Sequence, residues 1–164
     1  MRQTFTITSP LSQTQKTVWQ MITQGLTTTI IAEKLNTTRQ FVNQTKISAE
    51  AKLSTTLMDI AQANDFQVTK LYPTQGLLLG YHPVLKRKAI LTYSTNYGIK
   101  VWYWHNNAEE VTNQEFLHQT RVYLLDVAKE RSIEIQDAEK LHPARLATLI
   151  FSKLMPDAGL GEQQ

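Results

Sequence analysis

Between Leu11 and Leu53 short apolar-periodic segments alternate with short polar breaks, and no other stretch of the chain restricts its fold as tightly. A helix is expected from Ser12, where Val18, Trp19, Met21 and Ile22 supply an apolar face and Gly25 is placed to end it. Thr27-Thr28-Thr29 offers a threonine cap to a second segment carrying Ile31, Ala32 and Leu35. Asn36-Thr37 breaks that segment, and a third begins at Thr37 or Thr38. Its apolar positions Val42, Ala49, Leu53, Leu57 and Ile60 recur at helical steps. They predict one long helix, or two joined helices, to about Asn64-Asp65, long enough to pack against a copy of itself.

Helix, Gly-Leu, short helix, polar turn, polar-faced helix is the order of a helix-turn-helix, in which one helix lies in the DNA major groove and its neighbours brace it. Stepping about 100° per residue from Val42 puts Thr45, Ala49 and Leu53 on the packing side. Gln40, Asn43, Gln44 and Ile47 fall on the opposite side, with Arg39 at its edge. Asn and Gln can bond adenine bidentately, Arg can bond guanine, and an aliphatic group can meet a thymine methyl. Thr27, Thr28, Thr29, Lys46 and Lys52 are candidates for phosphate contacts, which position a module without reading sequence, and Thr38 at the start of the third helix is a further DNA-binding candidate. The same pattern also fits a small helical bundle that docks protein, since amides on a helix surface are ordinary.

Leu11, Val18, Ile22, Gly25-Leu26, Ile31-Ala32, Leu35, Val42 and Leu53 resemble, without gaps, the four-helix variant of helix-turn-helix found in LuxR/NarL-type regulators and sigma-factor region 4. The stretch Leu35-x-Thr37-Thr38-Arg39-x-x-Val42, followed by Ala49 and Lys52, is similar to Tfx-type archaeal DNA-binding regulators, which also carry this module ahead of a mixed β/α segment. Ile30 stands where these families commonly carry glutamate, and Thr37 where LuxR-type modules carry an apolar residue. The resemblance implies a sequence-specific transcriptional regulator.

The rest of the chain gives the setting. The 164 residues fit one domain or two small ones, and 41% hydrophobic with 19% charged suits a folded protein. With no cysteine there is no disulfide framework and no cysteine zinc site. The N-terminus lacks the apolar core of a signal peptide, and no apolar run reaches the roughly 18 residues of a membrane span, so a cytoplasmic protein without membrane contact is expected. Charge is uneven: residues 66–105 hold five Lys/Arg and no acid, whereas residues 106–164 hold six basic and ten acidic residues. A basic front and an acidic back suggest that only part of the surface meets a polyanion.

Gln3 to Thr8 alternates polar and apolar like a short extended arm. Three or four antiparallel strands are expected from Val68 to Trp104, with turns at Pro73–Gly76, at His82-Pro83 and over Ser94–Gly98. The tryptophans of Trp102-Tyr103-Trp104 point to one face and Tyr103 to the other, so one set is expected in the core of a half-buried sheet. Lys86, Arg87 and Lys88 read as a solvated turn that adds positive field or touches phosphate directly, and the basic, aromatic sheet around them could stack bases, hold an anionic ligand or form a basic wing beside the duplex. A helix is expected from Asn113 to about Arg131, a brief strand at Ile133-Glu134-Ile135, a last helix opened by Pro143 and stopped by Pro156, and a loose tail over 157–164.

The expected class is therefore α+β: a tetrahelical helix-turn-helix followed by an antiparallel sheet with C-terminal helices. The expected division is a DNA-binding domain with helical extension at 1–65 and a dimerising or ligand-sensing domain at 66–156. The expected partners are double-stranded DNA, a second copy in a homodimer, and an unidentified small molecule between sheet and C-terminal helices. His82, His105, His118 and His142 form no paired metal spacing, Glu109-Glu110 reads as helix N-terminal charge, and no phosphate loop or nucleophile elbow occurs. No enzyme, cofactor or metal is expected; the enzymatic rival is a DNA-processing nuclease.

Overall fold

The computed structural model describes residues 9–104 and 113–160. The expected arm at 3–8, His105, Glu109-Glu110 and the last residues of the tail lie outside the described residues. The chain is α+β. Helices α1 (Gln13–Thr23), α2 (Thr28–Lys34) and α3 (Arg39–Ala63) precede strands β1 (Gln67–Tyr72), β2 (Leu77–His82), β3 (Arg87–Ser94) and β4 (Gly98–Tyr103); helices α4 (Gln114–Glu130) and α5 (Pro143–Leu154) follow. The four strands pair antiparallel in the order β1-β2-β3-β4. The compact units are Met1–Tyr103 and Trp104–Gln164.

Local chemistry sets where each helix starts and stops. Ser12 opens α1 with a capping box: its hydroxyl accepts from Gln15 N at 3.2 Å, and Gln15 Oε1 accepts from Ser12 N at 3.0 Å. Thr27 and Thr38 cap α2 and α3 by accepting from Ile30 N at 3.3 Å and Phe41 N at 3.1 Å. Gly25 ends α1 at φ +86°, with Gly25 N bonded to Ile22 O and Leu26 N to Met21 O. This paired reversal recurs after α2 at Asn36, after α3 at Asp65 and after α4 at Ser132, all at positive φ without being glycine. Each reversal satisfies last-turn carbonyls and turns the chain sharply.

The helix α3 is the axis of the first unit. Near its start Val42 packs with Val18, Ile31 and Ala32 of α1 and α2. Further along, Ala49 and Leu53 meet Leu11, Trp19 and Tyr93. Near its end Leu57 and Ala61 meet Phe66, Leu78, Ala89 and Leu91. One continuous helix thus carries the α1–α2 pair at one end and the sheet at the other. No Gly or Pro interrupts Arg39–Ala63, which is one continuous helix, and α1, α2 and α3 are the helices among described residues 9–65.

Two further expectations change for the same reason. The boundary at 65/66 falls inside a core, because the sheet covers the second half of α3 and fills its apolar positions Leu57 and Ala61 from within the chain. In the sheet, β2 and β3 are buried at alternate residues of both faces, Leu77 and Ile90 as well as Leu78 and Leu91, so these central strands are not half-buried. Tyr103 joins the core, edge to face with Phe66 at 6.1 Å, while Trp102 opposite Ile90 stays half-exposed.

A fragment ending at Asn64 is expected to lose cooperative unfolding. It would uncover Leu53, Leu57 and Ala61, and a buried leucine contributes about 1.5–3 kcal/mol. Far-UV circular dichroism through a thermal ramp measures this; a sharp transition from the fragment would show that the three helices hold without the sheet.

In the second unit α4 and α5 pack on one another. Pro143 sits in the first turn of α5, and His142 Nδ1 accepts from Ala144 N at 3.2 Å to cap it. Burial lowers the Arg131 guanidinium to about 10, against the opposing pull of Glu130, so it stays charged at neutral pH. Among the described residues Ile133-Glu134-Ile135 pairs with no strand and forms an irregular link. The expected loose tail is anchored at Leu160, which is buried beyond the short 3-10 turn Pro156–Ala158.

Candidate nucleic-acid interface

The first half of α3 presents one uncharged outward stripe. Gln40, Asn43, Gln44 and Ile47 are all exposed while Val42 and Ala49 are fully buried. At about 100° per residue the four fall within an arc of roughly 100°. Thr38 starts the helix and Arg39 follows it, both exposed. The connection from α2 to α3 is Leu35, Asn36, Thr37 and Thr38, the short turn such a pair requires. Ile47 is 60% exposed, an aliphatic group held in water among amides.

The sites expected to meet phosphate divide into three groups. The Thr27 and Thr38 hydroxyls serve as cap acceptors, and each retains its own hydrogen to donate; Thr29 is exposed beside them and Thr28 is half-buried. Lys46 lies 4.0 Å from Glu50, which also accepts from Thr74 Oγ1 at 3.0 Å in the β1–β2 turn, so its charge is partly offset. Lys52 Nζ donates to Gln15 Oε1 at 3.1 Å.

Lys86, Arg87 and Lys88 are not brought to this face. They are exposed where β2 turns into β3, beside His82, whose ring meets Phe66 at 5.4 Å just past the end of α3. The 25 residues of α3 span about 37 Å at 1.5 Å per residue. The cationic turn and Arg39 therefore lie toward opposite ends of that helix, and the turn is not a wing beside the stripe. What does lie near the braced end is the β3–β4 turn, where Gln20 Nε2 on α1 donates to Thr95 Oγ1 at 2.8 Å.

Three features of this face were not legible in the sequence. Phe41, next to Gln40 on α3, is exposed at 46%, and Ile30 on α2 at 40%. Glu50 acts as a tie between α3 and the sheet. Gln15 is 8% exposed and reaches from α1 to α3, with Nε2 donating to Ser48 Oγ at 2.9 Å. The spacing Ser12-x-x-Gln15 is a capping signature and signals its first bond, whereas the bonds to α3 depend on packing. Charge is segregated: residues 1–103 carry eleven Lys/Arg against four Asp/Glu, and residues 104–164 six against ten. Comparison with family models, with curated proteins and with solved structures returned no match.

Proposed function

We propose that the chain is a sequence-specific DNA-binding transcriptional regulator whose reading element is the first half of α3. The observation that carries this reading is the exposed stripe Gln40, Asn43, Gln44 and Ile47, uncharged and amide-rich, on a helix braced from behind by a continuous apolar core. Unpaired amides can match base edges, and an aliphatic among them suits a thymine methyl. The excess of seven positive charges in residues 1–103 supplies the sequence-independent attraction that such a reader needs. The resemblance of residues 11–53 to LuxR/NarL-type and Tfx-type regulators points the same way. A homodimer on a two-fold operator is part of the proposal.

Selection of bound duplex from a random pool, with sizing of the complex, tests it. An enriched palindrome with half-sites about one helical turn apart is expected, with affinity falling steeply as salt rises. A second reading is favoured by Phe41 and Ile47 of α3 and Ile30 of α2, three exposed apolar side chains on the helices of the motif: a module that docks protein. Absence of any enriched sequence, with weak salt-insensitive DNA binding, would select that reading over ours.

A further inference from the structure

The Gln15 side chain makes one arrangement that capping does not require. Its oxygen accepts from Ser12 N at 3.0 Å and from Lys52 Nζ at 3.1 Å, and its nitrogen donates to Ser48 Oγ at 2.9 Å. A nearly buried amide thus pins an exposed ammonium at the rim of α3 that faces α1. Gln15 is neutral, so it fixes the position of the cation without cancelling its charge. Among the described residues no carboxylate pairs with Lys52, in contrast to Lys46 beside Glu50. An ammonium has three donor hydrogens, and one bond to Gln15 leaves the others for an anion.

We infer that Gln15 is a positioning residue that holds the Lys52 ammonium, with its charge intact, for one phosphate of the duplex backbone. This rests on the reading of α3 as the DNA-reading helix. An amide at position 15 is the chemical choice that serves it: glutamate would complete the same capping box and neutralise the lysine. The ordering also removes an entropic cost, since a lysine side chain loses rotamer freedom when it is fixed.

The test measures equilibrium binding of the full chain to its selected duplex over a salt series, with thermal melts. The variants are Gln15→Glu, Lys52→Gln and Gln13→Glu, the last adding the same charge to an exposed neighbour in the same helical turn. Gln15→Glu and Lys52→Gln are each expected to lower the slope of log affinity against log salt by about 1, the loss of one phosphate contact. Gln13→Glu is expected to keep the wild-type slope. Lys52→Gln alters only an exposed side chain and reads the contact even if Gln15→Glu lowers the melting temperature. Wild-type slopes in both Gln15→Glu and Lys52→Gln overturn the inference and leave the DNA reading standing; so does an equal loss in Gln13→Glu. Failure of the unaltered chain to select any duplex removes the reading itself.

Discussion

Trp19→Ala is expected to cost about 3–5 kcal/mol, the range for truncating a fully buried aromatic residue. Trp19 is 1% exposed and stands edge-on to Tyr93, with ring centroids 5.0 Å apart and planes at 74°. That pairing adds about 0.5–1.5 kcal/mol to what burial alone supplies. Trp19 belongs to α1, Tyr93 to β3, and both close on Ala49 and Leu53 of α3. Three elements meet at this one side chain. For a chain of this size the loss corresponds to a fall in melting temperature on the order of 10 °C. Differential scanning calorimetry measures it, with Trp19→Phe expected to lose much less because it retains an aromatic ring. A fall of only a degree or two in Trp19→Ala would mean that α1 is not held to the sheet through this contact.

The second large effect is on binding. Gln40→Ala and Asn43→Ala are each expected to weaken binding to a selected duplex by about 1–3 kcal/mol, the worth of a good base contact. Melting should be nearly unchanged, since both side chains are exposed and such positions usually move stability by no more than about 0.5 kcal/mol. The two lie one helical turn apart, so their losses need not add and the double variant belongs in the series. Relaxed preference at particular base positions, rather than uniform weakening, is the signature of lost readout. If the double variant binds the selected duplex as the parent does, the stripe on α3 is not the reader.

Much of this was legible in the chain itself. Ser12, Thr27 and Thr38 were readable as helix starts because a hydroxyl that accepts from a backbone amide acts over three residues and needs no tertiary partner. Gly25 was readable as a stop because its positive φ suits glycine best. The stops near Asp65 and Ser132 were legible from where the apolar period ends, but their left-handed backbone was not, since these residues reach that region only when the surrounding structure holds them there. The strands were legible from β-branched and aromatic runs between turn residues. Ile133-Glu134-Ile135 shows the limit of that signal: alternation without a neighbour to bond is not a strand.

The candidate face divides in the same way. The outward stripe follows from a period of 3.6 residues counted from Val42, and nothing beyond the helix is needed to place it. The phosphate candidates depended on geometry that sequence spacing does not contain. Lys86, Arg87 and Lys88 belong to the same basic first unit as Arg39, yet the course of α3 and the antiparallel hairpins carry them toward its other end. Lys46 and Lys52 are both exposed-face lysines in sequence terms, and only packing gives one a carboxylate and the other an amide.

By itself, then, the sequence determined the local elements and the two-sided character of α3, because caps, periodicity and turn residues act within a few positions of one another. The tertiary structure decided the rest. It made α3 one uninterrupted axis and placed the sheet on its second half, which removed the boundary at 65/66. It also tied Gln15 to Lys52 and set the cationic hairpin away from the reading stripe. These outcomes depend on which apolar faces close on each other across long stretches of chain, and that is settled by packing rather than by any local pattern.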